Sequence, residues 1–133
     1  MKMKKGKTNG RSVIAFWPDS ADAFRRDLPV AALPPCAMRI QTRRQDGMAL
    51  ADVEEMTPLE SWSGDAAAAE ALLETARMLR EKGWCVPLTP ELVMIDGQGA
   101  LRIVALPYRE PSPGSIDELR ARLLRAAENV GKR

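Results

Sequence analysis

The side chains that could do chemistry are few and widely spaced. The chain contains no histidine, so the commonest general base and the commonest metal ligand are both missing. Cys36 and Cys85 are the two thiols and do not form a Cys-x-x-Cys pair, so they predict neither a zinc site nor a disulfide framework. Two reduced cysteines in apolar stretches favour a reducing compartment, and we expect a cytoplasmic protein.

The carboxylates do not form a convincing catalytic pair. Glu54 and Glu55 are adjacent, but consecutive side chains on a strand point to opposite faces and cannot share a site. The glycines of residues 97–99 are too few to cradle a phosphate. We therefore predict no catalytic, cofactor-binding or metal-binding residue. One alternative stays open, a small-ligand-binding or enzymatic α+β domain of an unrecognised family that uses carboxylates such as Asp27, Glu54 or Asp96.

The length of 133 residues and the hydrophobic content of 45% predict one globular domain. Residues 1–11 carry five basic and no acidic side chains, whereas the rest of the chain carries 15 basic and 18 acidic ones. We expect residues 1–11 to be a disordered basic tail and residues 12–133 to form a single α+β domain. No aromatic residue interrupts the lysines of this tail, so we do not expect nucleic-acid binding by Lys2, Lys4, Lys5 and Lys7. No apolar run approaches the roughly 20 residues that cross a bilayer, and no membrane association is expected.

The first half of the chain predicts strands around a short helix. An apolar run over residues 12–17, closed by proline, is typical of a strand. Ser20 can cap a helix over residues 21–28. Polar and apolar residues alternate over residues 36–43, and the chain returns over residues 48–54, which predicts a second pair of strands.

The second half predicts a central helix and a hairpin. Apolar residues recur with helical period over residues 65–82, and Ser63 or Asp65 can cap this helix. Residues 93–95 and 101–106 flank an Asp-Gly turn and predict a tight hairpin. The residues expected to pack this hairpin against the central helix are Met94, Leu101 and Ile103.

A capping box at residues 115–118 predicts a C-terminal helix over residues 115–130. One side of it is apolar and should be an attachment surface, inside the fold or between chains. The candidate interaction residues are Ile116, Leu119, Leu123 and Val130. Because the domain is small and its sheet has open edges, we expect a protein partner or a homodimer.

Together these elements predict an α+β fold, with a small antiparallel or mixed sheet, a central helix, a β-hairpin and a C-terminal amphipathic helix. Their order resembles a truncated protein kinase over residues 12–107. Residues 79–106 match most closely, since a helix ending in Leu-x-x-x-Gly leads there into the position of the catalytic loop and a small hairpin. Residues 12–62 resemble the N-lobe of a kinase and residues 63–106 resemble part of its C-lobe. Within the N-lobe part, residues 13–16 match the lysine strand, residues 24–28 the helix with the glutamate partner, and residues 48–56 the last strand and hinge.

The resemblance implies a kinase-like scaffold without the residues that phosphoryl transfer requires. Phe16 stands at the position of the ATP-binding lysine and Asp27 at that of its glutamate partner. Pro87 replaces the catalytic aspartate, while Leu92 and Ala105 replace the two metal ligands. Phosphoryl transfer depends on these groups, so we expect a non-catalytic, pseudokinase-like protein-interaction or regulatory module. Such a module should have a filled, apolar former nucleotide cleft, whereas the enzymatic alternative requires an open pocket with convergent polar groups.

Overall fold

The computed structural model describes residues 1–8, 10–28, 33–34, 36–43, 47–53, 62, 64–89, 92–95 and 98–131. Strands β1 (Lys2–Thr8) and β2 (Arg11–Trp17) come first, followed by a 3-10 turn at Ala21–Ala23. Next come strands β3 (Ile40–Thr42) and β4 (Ala49–Val53) and helix α1 (Ala66–Glu81). Strands β5 (Met94–Ile95) and β6 (Leu101–Arg102) and helix α2 (Ile116–Gly131) complete the described elements. The predicted α+β class is confirmed.

The first four strands form one sheet in the order β1-β2-β4-β3. Every neighbouring pair is antiparallel, so the sheet is antiparallel and not mixed. Its inner face is apolar because side chains alternate along each strand. Ile14 and Phe16 of β2 and Ala49 and Ala51 of β4 are all at most 2% exposed there.

The N-terminal residues form an edge strand and not the disordered tail that the sequence predicts. All of β1 pairs antiparallel with β2, from Lys2 opposite Trp17 to Lys7 opposite Ser12. Gly10 reverses the chain with a φ of 77°, which glycine adopts without steric cost. Backbone pairing needs no apolar side chains, so a lysine-rich segment can form this edge, and its charges discourage pairing with a further strand.

The helix predicted over residues 21–28 is wrong. After the 3-10 turn, Phe24 enters an antiparallel bridge with Tyr108. The two rings lie 6.2 Å apart. The Arg25 N–H donates to the carbonyl oxygen that precedes Tyr108, at 2.7 Å. Long-range backbone hydrogen bonds thus satisfy groups that a local helix would otherwise have paired.

The strand predicted over residues 36–43 divides into two parts. Ile40–Thr42 pairs with β4 as strand β3. Ala37 instead forms a parallel bridge to Ile103, and the Met38 N–H donates to the Ile103 carbonyl oxygen at 2.6 Å. Residues 37–42 therefore connect the four-stranded sheet with Ile103, which directly follows strand β6.

Helix α1 agrees with the prediction. Asp65 is its N-cap, and the Asp65 carboxylate accepts from the Ala68 N–H at 2.9 Å. Ser63, the other predicted cap, lies outside the described residues. Gly83 follows the helix with a φ of 97°, as an ending residue should. The buried side of the helix consists of Ala69, Leu72, Leu73, Ala76 and Leu79.

The hairpin of β5 and β6 is also confirmed. Leu101 and Ile103 are buried in one apolar cluster with the buried side of α1, as predicted. Met94 is wrongly predicted, because it packs against a second cluster that covers the inner face of the sheet. Tyr108 belongs to this second cluster, and its hydroxyl donates to the Phe16 carbonyl oxygen at 2.6 Å and accepts from the Ala49 N–H at 3.0 Å.

Candidate functional site

Most positions that the resemblance matches to kinase catalytic groups hold buried side chains, whereas Asp27, matched to the glutamate partner, is exposed. Phe16 is 0% exposed and packs under the sheet. In the segment matched to the catalytic loop, Cys85 and Leu106 form paired backbone hydrogen bonds, at 2.9 and 2.7 Å. The matched positions that are buried are Phe16, Cys85, Val86, Pro87, Leu92, Ala105 and Leu106.

The apolar side of helix α2 packs against the core of the same chain. Leu119 is 2% and Leu123 0% exposed, and both lie in the cluster that contains the buried side of α1. Ile116 is half-buried against the same cluster. The side chain of Val130 lies outside the described residues. Leu119 and Leu123 therefore attach α2 inside the fold, which is one of the two arrangements expected for this apolar side.

Asp27 is the one carboxylate proposed for an enzymatic alternative that lies among the described residues. Asp27 forms an ion pair with Arg25, at 2.6 Å between Nη2 and Oδ2. A hydrogen bond from that guanidinium holds the pKa of Asp27 below its usual value. Glu54 and Asp96 lie outside the described residues. Among the residues that the structure describes, no three histidine, cysteine or acidic side chains are grouped so as to hold a metal ion.

The Cys85 thiol is poorly suited to act as a nucleophile. Cys85 is 1% exposed, and burial raises the pKa of its thiol to about 11. The reactive thiolate is therefore scarce near neutral pH. Both cysteines are free thiols, as the sequence predicts.

Three arginines from separate segments line a groove of about 480 Å³, which we name the arginine groove. Asp27 orients the Arg25 guanidinium, which lies so close to Gly83 that a Cβ there would overlap it. Arg80 donates to the Val86 carbonyl oxygen at 3.0 Å, and burial lowers its pKa. The residues that line the groove are Arg25, Arg80, Gly83, Trp84, Tyr108, Arg109, Glu110 and Ser112. Since these arginines are far apart in sequence, no local motif could have indicated them.

The side of the sheet that faces away from the core is a further open surface, which we name the outer sheet face. Its centre is apolar and half-buried, with Val13, Ala15 and Trp17 from β2 and Leu50 from β4. Its edges are basic and exposed, with Lys2 and Lys4 on β1 and Arg39 and Arg43 beside β3. A groove of about 420 Å³ lies on this face, lined in part by Ala15, Gln41, Arg43 and Leu50.

Sequence reasoning missed this face because it treated residues 1–11 as disordered. A signal was present, since Asn9-Gly10 stands directly before the apolar run that predicts a strand over residues 12–17. Asn-Gly is a strong indicator of a two-residue hairpin turn. Read as a hairpin, the segment places Lys2 and Lys4 on one side of the strand and Lys5 and Lys7 on the other.

A third groove, of about 360 Å³, lies on the inner side of β1 next to the strand matched to the lysine strand. Ile14, Val53 and Met94 form its apolar lining, and Lys5 and Lys7 supply cations. None of the described residues lining it is a carboxylate. This groove is thus open to solvent beside β1, next to the buried Phe16 and Ile14 side of β2.

No family model matches the chain, and no curated protein is significantly similar to it. Within the part of the chain that the structure describes, no helix has both the length and the apolar composition to cross a membrane. The function must therefore be inferred from the surfaces of the structure.

Proposed function

We propose that the protein is a non-catalytic interaction module, on a scaffold that resembles a degenerate protein kinase, and that it binds another protein through its outer sheet face. The observation that carries this proposal is the burial of Phe16, Pro87, Leu92 and Ala105. Apolar side chains at these positions provide neither charge to stabilise a transferred phosphoryl group nor ligands for Mg²⁺.

The outer sheet face supports the binding part of the proposal. Its central side chains remain half-exposed, although apolar groups gain free energy when they are removed from water. Binding surfaces commonly combine such an apolar centre with a polar rim. Leu119 and Leu123 of α2 are buried in the core, so they do not provide an apolar centre for such a binding surface. Free thiols at Cys36 and Cys85 support a reducing compartment as the place of action.

Calorimetry with Mg²⁺–ATP tests the non-catalytic part. We expect no binding heat and no release of phosphate from ATP at micromolar protein concentration, because the positions matched to the ATP-binding lysine, the catalytic aspartate and the two metal ligands hold no charged group. Micromolar, Mg²⁺-dependent binding that Lys5→Ala with Lys7→Ala abolishes would show that the groove beside β1 still accepts a nucleotide, and it would overturn this part.

Photo-cross-linking in the native cells tests the binding part. A benzophenone amino acid placed at Gln41, exposed on the outer sheet face, should give a discrete protein adduct. The matched control is the same amino acid at Glu74, which is exposed on α1. Equal adducts at both positions, or none at Gln41, would contradict binding through this face.

Binding of a small anion is a second candidate function, and the arginine groove favours it. Arg25 and Arg80 are oriented by other groups of the chain, and Arg109 adds an exposed cation beside them. Oriented guanidinium groups suit phosphate and carboxylate. With pyrophosphate as the probe in calorimetry, Arg109→Gln should weaken binding about tenfold and the exposed Arg26→Gln should not. Absence of binding to the parent protein would exclude this candidate.

A further inference from the structure

The outer sheet face has a regular layout that follows from the strand register. On β1, Lys4 lies opposite Ala15 of β2. Ala15 lies opposite Leu50 of β4, which in turn lies opposite Gln41 of β3. One row across the sheet therefore runs from a cation through two apolar residues to an amide, because residues opposite each other in an antiparallel pair share a face.

The row at the Lys2 end also begins with a cation, whereas the row at the other end runs from Gly6 through Val13 to Asp52. Lys2 lies opposite Trp17 at one end of the face. The Arg43 N–H donates to the Met48 carbonyl oxygen at 2.9 Å, which places Arg43 across from the start of β4. At the other end, the Asp52 N–H donates to the Arg39 carbonyl oxygen at 3.1 Å. The result is an apolar strip between a lysine edge and an arginine edge, with Asp52 and the exposed Arg11 at one end of the same face.

The charge of this face is strongly one-sided. Lys2, Lys4, Arg39 and Arg43 are all exposed, and Asp52 is the one acidic side chain that the described residues place on the face. Within the described part of the chain, no ion pair engages any of the four cations. They are therefore available to an acidic partner, and a second copy of the same basic face would be repelled.

The dimensions of the strip match an α-helix. Neighbouring strands lie about 4.8 Å apart, so the two basic edges, three spacings apart, are separated by roughly 14 Å. An α-helix with its side chains is about 10–12 Å wide. Strand β4 has five residues and is roughly 17 Å long, which corresponds to about three helical turns.

We infer that the outer sheet face binds an amphipathic α-helix of a partner protein, one that carries acidic residues on both sides of an apolar stripe. This inference rests on the proposed function and adds the chemistry of the partner. The stripe covers Val13, Ala15 and Leu50, while the acidic residues approach the lysine and arginine edges. Single-stranded nucleic acid fits less well, because base stacking needs several aromatic side chains, and Trp17 is the one aromatic residue that the described strands place on the face.

Fluorescence anisotropy with a synthetic peptide tests the inference. The probe is a fluorescein-labelled 18-residue helix with a leucine stripe flanked by glutamates, and a peptide of scrambled order is its control. Charge reversal of the lysine edge (Lys2→Glu with Lys4→Glu) or of the arginine edge (Arg39→Glu with Arg43→Glu) should weaken binding about tenfold. The matched control is Lys5→Glu with Lys7→Glu, which makes the same change on the other side of β1 and should alter binding less than twofold.

Circular dichroism confirms that each variant is folded, so that a loss of binding reports on the surface. Equal binding of the scrambled peptide, equal effects of the two lysine pairs, or tighter binding of a single-stranded oligonucleotide would overturn the inference. If the Gln41 cross-link forms but the acidic helix does not bind, the proposed function survives and the partner chemistry is wrong. If the peptide binds as expected but no cross-link forms in cells, the partner chemistry survives and the binding part of the proposed function is wrong.

Discussion

Replacing Tyr108 with phenylalanine should destabilise the protein while leaving the shape of its core unchanged. The Tyr108 side chain is 1% exposed. Its hydroxyl donates to the Phe16 carbonyl oxygen at 2.6 Å and accepts from the Ala49 N–H at 3.0 Å. Phe16 and Ala49 are the last pair in the β2–β4 register. The hydroxyl therefore satisfies backbone groups at the end of the sheet, where water has little access.

The hydroxyl also lies 3.1 Å from the Gly47 carbonyl oxygen. Because it has one proton, it donates to one carbonyl at a time and accepts from the Ala49 N–H, so about two backbone groups lose a partner. Each buried donor or acceptor left without a hydrogen bond costs about 1–3 kcal/mol. Phenylalanine keeps the aromatic ring and its packing against Phe24, so no large cavity term is added. We expect the free energy of unfolding to fall by about 2–4 kcal/mol. For a domain of this size, a change of about 3 kcal/mol corresponds to a Tm decrease of roughly 10 °C.

Urea unfolding followed by circular dichroism measures this change. The matched control is Thr75→Val, which also deletes a hydroxyl, here one that donates to the Ala71 carbonyl oxygen at 3.0 Å on the half-exposed side of α1. Water can replace that bond, so the control should lose less than about 0.5 kcal/mol. A loss for Tyr108→Phe no larger than that of the control would refute the role assigned to the hydroxyl.

Three other changes test the core, the buried thiol and the helix cap. Leu119→Asp with Leu123→Asp should unfold the domain, because each substitution places a carboxylate in the core. The control Ala121→Asp, on the exposed side of α2, should leave the domain folded. Equal melting temperatures of the two variants would contradict this expectation. Burial raises the pKa of the Cys85 thiol from 9.0 to about 11. The neutral thiol therefore contributes to the free energy of unfolding below pH 9, and this contribution is lost as the pH rises towards 11. Cys85→Ala should flatten urea-derived stability over that range, and an unchanged slope would argue against it. Asp65→Ala should cost about 1 kcal/mol of unfolding free energy, and a loss below about 0.3 kcal/mol would show that the cap contributes little.

Elements with strong local signals could be predicted from the sequence. Helix α1 carries its own cap at Asp65, a periodic apolar side and a terminating Gly83. The β5–β6 hairpin has its turn residues between two apolar stretches. The apolar identity of Phe16 and Pro87 could also be read directly, since residue identity does not depend on the fold. Local hydrogen bonding and side-chain period suffice in such cases.

Other features depend on contacts between distant residues, and only the tertiary structure decided them. Whether the lysine-rich N-terminus is a tail or a strand depends on β2 being available beside it. Phe24 leaves the expected helix because Tyr108, far along the chain, offers its backbone as a partner. The apolar side of α2 could have served another chain equally well until α1 covered Leu119 and Leu123. The outer sheet face exists only because the β2–β4 and β3–β4 registers align residues from separate segments, and no pattern within one segment specifies which strands become neighbours.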